Sequence, residues 1–141
     1  MKAPERDRGT VSLFTVIFAV FVILLAGLLV DGGLAIHARQ RAADIAEQGA
    51  RAAADDIDVT YLRTTGRPRI ADGGSACAKA RRLVAKYPEA DGAVGCVVSG
   101  DRQSATVQVT IQVELQLLSI MPGFGTFTMT SRASAHPQAG V

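Results

Sequence analysis

The chain has 141 residues, of which 48% are hydrophobic and 20% are charged, and its formal net charge is +2. This length suits one domain of ordinary size. Residues 31–141 carry 12 basic and 11 acidic side chains, so they form neither a basic field that would attract nucleic acid nor an acidic tail. The hydrophobic content also excludes a disordered chain.

A charge-free segment, residues 11–30, follows the N-terminus, and only Ser12 and Thr15 in it are polar. As a helix this segment would be about 30 Å long, which is the thickness of a hydrocarbon core. A cleaved signal peptide would have a shorter apolar region, about 7–15 residues, before a small-x-small cleavage site. A buried core helix would need a larger domain around it. The segment therefore predicts a transmembrane helix, with a cleaved signal as the main alternative.

The flanking charges and the cysteines predict the orientation. Three basic residues precede the apolar segment, and only Arg39 and Arg41 follow it within a similar distance, which places residues 1–10 in the cytoplasm and residues 31–141 outside. Cys77 and Cys96 both lie beyond the segment and suit one disulfide in an oxidising compartment. Two buried free thiols are the alternative. A zinc site is not expected, because closely spaced cysteine pairs are absent.

Two rows of small residues predict helix packing. Residues 34–57 are alanine-rich and continue the helix, and Gly32 and Gly33 mark a bend just outside the bilayer. The upper row has helical spacing and packs either inside the molecule or against another one. It consists of Ala35, Ala38, Ala42, Ile45, Gly49 and Ala52. The lower row recurs every seven residues and either forms a groove for another membrane helix or is a chance pattern in an alanine-rich chain. It consists of Ser12, Ala19, Ala26 and Gly33.

The remaining residues predict an α+β fold. Residues 60–74 have the composition of a surface loop, and a short second helix capped by Ser75 runs to about Lys86. Apolar and polar residues then alternate with period two, which is typical of strands with one buried face. The predicted strands are residues 93–98, 104–117 and 126–135, and they form a three-stranded antiparallel meander.

No catalytic arrangement occurs in the sequence. A P-loop, HExxH and G-x-S-x-G are all absent. Asp55, Asp56 and Asp58 form an acidic cluster, but they lack the glycine and the distal glutamate of a calcium loop. We therefore expect no catalytic residue, no cofactor, no metal and no small-molecule substrate.

The N-terminal half resembles a known family. ERDRGTVSLFTVIFAVFVILLAGLLVDGG (5–33), followed by ARQRAADIAEQGARAAAD (38–55), is similar to TadE/TadG-like proteins of the Flp (tight adherence) pilus, in particular the actinobacterial members. The later half, with a cysteine in a short helix and another in a short strand, is also similar. The resemblance implies a pilin-like, membrane-anchored protein of pilus assembly or of the related secretion machinery. Its partners would be other pilins or membrane proteins of the assembly platform.

One position departs from the pattern of that superfamily. Prepilin peptidase substrates are cut after a glycine, and a glutamate follows five residues later. Carried onto this chain, the cut would fall between Gly9 and Thr10, but Phe14 stands at the glutamate position. We therefore expect no cleavage there. The alternative to a pilin-like function is an envelope-anchored extracytoplasmic binding domain that is unrelated to a filament.

Overall fold

The N-terminal helix α1 is one uninterrupted helix, Arg8–Ala54, of 47 residues. The computed structural model describes residues 8–90, 94–116 and 125–138. No proline occurs between Pro4 and Pro68, so no backbone donor is missing from this stretch. At about 1.5 Å per residue, α1 is about 70 Å long. Gly32 and Gly33 lie inside α1 and do not interrupt it.

A short helix, α2 (Val59–Thr65), overlaps the start of the segment 60–74 that the sequence predicted as a loop. Asp58 is its N-cap, because the Asp58 carboxylate accepts a hydrogen bond from the Tyr61 N–H at 3.0 Å. Gly66 ends it with a left-handed φ of 69°, a conformation that glycine adopts without steric cost. The loop prediction was therefore wrong for these residues, since a good cap at each end supports a helix of seven residues.

The third helix, α3, spans Gly73–Val84, so it begins before the predicted Ser75 and ends before Lys86. Its N-cap is Asp72, whose carboxylate accepts a hydrogen bond from the Ser75 N–H at 3.0 Å. The predicted capping role of Ser75 was therefore wrong. A carboxylate three residues earlier satisfies the exposed helix donor, and Gly73 and Gly74 occupy the first turn.

The strands form the predicted antiparallel meander in the order β1–β2–β3. They span Gly95–Val98 (β1), Ala105–Glu114 (β2) and Thr126–Ala135 (β3). In the register, Cys96 lies opposite Val107, and Val107 lies opposite Ala133. Ala93 and Leu117, which belonged to predicted strands, fall outside the described residues.

The core lies between one face of the sheet and the C-terminal half of α1, with α3 beside them. Along β2 the buried side chains alternate with less buried ones, as the sequence predicted. Small side chains on α1 allow the sheet to approach the helix closely. The buried core residues of these elements include Ala42, Ala46, Ala50, Ala53, Val84, Val107 and Val109. The fold is therefore α+β, as predicted.

Candidate functional site

The N-terminal part of α1 presents a row of large apolar side chains that are exposed in the described part of the chain. All of its large apolar side chains between Val11 and Val30 are exposed. Among the described residues, α1 is the one helix long and apolar enough to cross a membrane, and its most apolar stretch has a mean hydropathy of 3.1. The Thr15 hydroxyl donates to the Val11 carbonyl at 2.8 Å, so this polar group is satisfied within the helix.

The lower row of small residues follows this exposed surface. Ser12, Ala19 and Ala26 are exposed, and Gly33 has open space around the position that a Cβ would occupy. A seven-residue repeat drifts by only about 20° per step on a straight helix, so the row stays on one side. Its use as a contact for another helix remains a prediction.

The four central members of the upper row lie in or against the core of the same molecule, and its two end members are only partly buried. Ala42 and Ile45 are buried, and a Cβ on Gly49 would lie 3.1 Å from a methyl group of Val107. Ala38 is partly buried against the same core. Of the two alternatives that the sequence left open, the structure therefore uses this stripe for intramolecular packing.

Asp31 joins the apolar part of α1 to the folded head, which we define as residues 31–138. It is only 2% exposed, and one carboxylate oxygen accepts a hydrogen bond from the Gln116 N–H at 3.1 Å. Sequence reasoning did not single out Asp31. The sequence does mark this residue, because Asp31 is the only Lys, Arg, Asp or Glu between Gly9 and Ala38.

A second contact aligns the sheet with α1. The Ser131 hydroxyl donates to the Arg39 carbonyl at 3.3 Å. Gln116 follows β2 and contacts α1 eight residues before Arg39, so β3 runs in the same direction as α1. The end of the sheet where β2 leaves and β3 enters is therefore the end nearest to the apolar span.

Cys77 of α3 and Cys96 of β1 form a disulfide, with a Cα–Cα distance of 5.6 Å. Cys77 is buried and Cys96 is partly buried against the core. The bond ties α3 to the edge strand of the sheet, on the side of the head away from the apolar span. Neither cysteine is free.

The segment that carries the apolar surface, the Asp31 junction and the buried stripe is similar to a known protein family. The family model of TadE/G-like Flp pilus-assembly proteins matches residues 9–56. Residues 9–56 are a TadE/G-like segment. Comparison with curated proteins and with solved structures finds no match.

The TadE/G-like segment coincides with α1, because the match ends two residues after Ala54. The family resemblance read from the sequence is confirmed for this segment. Together with the apolar helix, the match supports a membrane protein associated with the Tad pilus. A pilus-assembly family also indicates a structural role and contact with other pilus components. Gly9 and Thr10, the residues beside the predicted uncut bond, lie in the first turn of α1.

The acidic cluster after the TadE/G-like segment has structural partners. The Asp56 carboxylate accepts hydrogen bonds from Lys79 and Ser75, and these lower its pKa below the ordinary value. The Arg69 guanidinium donates to Asp58 at 2.7 Å and, with the Tyr61 N–H, lowers the pKa of that carboxyl. Within the described ranges no group of three or more His, Cys, Asp and Glu could hold a metal ion. The cluster therefore holds α2 and α3 in place.

Contacts of charged and aromatic side chains also connect α1 with the segment that follows α3. Arg41 Nε donates to Glu89 at 2.9 Å, and its guanidinium lies 5.6 Å from the centre of the Tyr87 ring. The Tyr87 hydroxyl donates to the side-chain oxygen of Gln48 at 2.6 Å. The exposed polar face of α1 above the span is therefore occupied in part by contacts within the head.

Proposed function

We propose that this chain is a pilin-like structural subunit with one membrane span, and that it takes part in assembling a Flp/Tad-type pilus or the related secretion machinery. Residues 1–10 lie in the cytoplasm, residues 11–30 cross the membrane, and residues 31–141 form the head outside the cytoplasm. The partners are other pilins or proteins of the membrane assembly platform. The protein works without a cofactor and catalyses no reaction.

One observation carries this proposal: the TadE/G-like segment is a single helix that serves two environments. Its lower part exposes apolar side chains along its whole circumference, as a helix surrounded by lipid or by other membrane helices does. Its upper part contributes alanines and Gly49 to the core of the head. A rigid helix that leaves the head and enters the membrane suits a subunit that packs laterally in an assembly.

The small-residue row on the exposed part suits such packing. In a bilayer, apolar side chains gain little by leaving lipid for another apolar surface, so helices associate where small residues let their backbones approach. The row at Ser12, Ala19 and Ala26 offers that approach and is exposed in the described part of the chain.

The test replaces residues 11–30 by an unrelated apolar helix of the same length, in a native host whose own copy of the gene is deleted. We expect the unmodified chain to restore pilus assembly or secretion and the replaced chain to fail, although both reach the membrane at equal levels. If the chain with the replaced helix restored the phenotype, membrane anchoring of the head would be sufficient for function and the sequence of residues 11–30 would not matter. Pilus assembly and secretion that persisted in the deletion host without any copy of the gene would instead favour the envelope-anchored binding domain. Protease added to spheroplasts checks the orientation, because it should degrade the head.

A further inference from the structure

The base of the head, where β2 leaves the sheet and β3 enters it, lies level with the start of the head on α1. Ser131 contacts Arg39, and Phe127 lies four residues below Ser131 on β3. Four strand residues span about 13 Å, and the eight helix residues from Asp31 to Arg39 span about 12 Å. Phe127 therefore lies at the height of Asp31, the first residue after the apolar span.

The surface at this height is apolar on both elements. Phe127 is 45% exposed, although its alternation along β3 places it on the side that faces the core. Ile36, on α1 above Asp31, is 62% exposed. No Lys, Arg, Asp or Glu occurs between Asp31 and Arg39. The exposed apolar surface of the span thus continues upward onto the base of the head.

The charges near the base do not prevent contact with a bilayer. The Asp31 carboxylate is buried and hydrogen-bonded to Gln116. Glu114 is exposed at the end of β2, but alternation places it on the opposite face of the sheet from the buried Val113. An exposed apolar side chain at the height where a helix leaves the hydrocarbon core removes its surface from water when it inserts into the bilayer.

We propose that the base of the head is a lipid-contacting surface, with Phe127 and Ile36 inserted into the headgroup and upper acyl region of the bilayer. This inference rests on the proposed membrane span. The occupant is the bilayer, because the base continues the surface that the span presents to lipid. The Asp31–Gln116 contact holds the base at this height, so the head rests on the membrane.

The test uses tryptophan fluorescence, because the chain contains no Trp. Three full-length variants, Phe127→Trp, Val97→Trp and Phe21→Trp, are placed at low density in two sets of phosphatidylcholine vesicles. The lipids of one set are brominated near the carbonyl end of the acyl chains, at the height of Phe127, and those of the other set are brominated near the end of the acyl chains, at the height of Phe21. Val97 is the matched control because it is 68% exposed on β1 and pairs with Thr106, which lies opposite Ser134. It therefore lies about 23 Å farther from the base than Phe127. Phe21→Trp reports insertion of the span.

We expect the brominated lipids to quench Phe127→Trp and Phe21→Trp and to leave Val97→Trp unchanged. Quenching of Phe21→Trp alone would overturn the lipid-contacting base while leaving the span intact. The absence of quenching in both Phe127→Trp and Phe21→Trp would instead contradict the proposed membrane span. A blue-shifted but unquenched Phe127→Trp would also overturn the inference, because it would indicate that the side chain is buried in protein and not in lipid. Ile36→Trp, at an exposed position of the same surface on α1, gives a second probe if Phe127→Trp fails to form the disulfide.

Discussion

Gly49 of α1 lies so close to Val107 of β2 that a Cβ on Gly49 would come within 3.1 Å of the Val107 Cγ1 and within 3.2 Å of a methyl group of Val84. At this point the helix, the sheet and α3 meet. The absence of a side chain permits their close approach, which is why the alanine-rich stripe of α1 forms the core of the head.

Replacing Gly49 by Leu should therefore destabilise the head. The new side chain must displace Val107 or Val84, and overpacking of this kind costs about 1–3 kcal/mol or more. The matched control is Gly33→Leu on the same helix, because no other atom lies within 4 Å of its Cβ position. Thermal unfolding of both full-length variants in detergent measures the difference. Equal melting temperatures for the two variants would contradict the close approach.

Removing the disulfide should lower the free energy of unfolding. Cys77 and Cys96 are 19 residues apart, and closing a loop of this size stabilises a fold by about 3 kcal/mol in the loop-entropy account. We expect the double variant Cys77→Ala, Cys96→Ala to unfold at lower denaturant concentration than the unmodified chain. Peptide mapping without reductant should show the two cysteines crosslinked. Recovery of both as alkylated thiols from the native host would contradict the bond.

Acid should destabilise the head through Asp58 and Asp56. Their pKa values are lowered from the ordinary 3.8, for Asp58 mainly by Arg69 and for Asp56 mainly by Lys79. As the pH falls, the two carboxylates become protonated in the unfolded chain before they do in the folded chain, where their pKa values are lower. The stabilisation is therefore complete well above pH 3.8 and is lost as the pH drops through the lower folded values. We expect denaturation curves to show this loss below about pH 4.

The matched variants for this pH dependence are Asp58→Asn and Asp55→Asn. Asp58→Asn should lower stability at neutral pH and flatten the acid dependence, because the charged partner of Arg69 is removed. Asp55 is exposed on the same turn, so its substitution should leave the acid dependence nearly unchanged. An identical pH profile for both variants would show that the Arg69 contact contributes nothing.

We predict that the bond between Gly9 and Thr10 is not cut. Cleavage would place a new amine at the edge of a span that has no charged residue between Val11 and Val30, because Phe14 replaces the expected glutamate. An unpaired amine in such a place is costly. Intact-mass measurement of the protein from its native host checks this. A Phe14→Glu variant should be measured beside it, because cleavage of that variant would identify Phe14 as the residue that prevents cleavage of the native chain. A native protein that began at Thr10 would contradict the prediction.

Filling the small-residue row should separate the chain from its partners in the membrane. Ala19→Leu with Ala26→Leu raises hydrophobicity, so insertion is preserved, but the larger side chains keep partner backbones apart. The control pair, Phe21→Leu with Leu28→Ile, lies about 200° around the helix from the row. Co-purification in mild detergent at matched membrane levels is the measurement. Equal recovery of pilus components with both pairs would place the contact on another side of α1.

The sequence by itself determined the features that depend on near neighbours. A period of two identified β2 and β3, and a charge-free stretch identified the apolar half of α1. The absence of proline between Pro4 and Pro68 allowed α1 to continue without interruption to Ala54. The α+β class followed from these patterns. They are visible because side chains two, three or four residues apart share a face of a strand or a helix.

Only the tertiary structure decided which surfaces meet. Asp31 and Gln116 are 85 residues apart, so no local pattern could show that the first charge after the span is buried against the end of β2. The Ala42–Gly49 stripe had the same spacing whether it packed inward or against another molecule. The caps at Asp58 and Asp72 decided the starts of α2 and α3, because a carboxylate becomes a cap only when the backbone turns to present its donors.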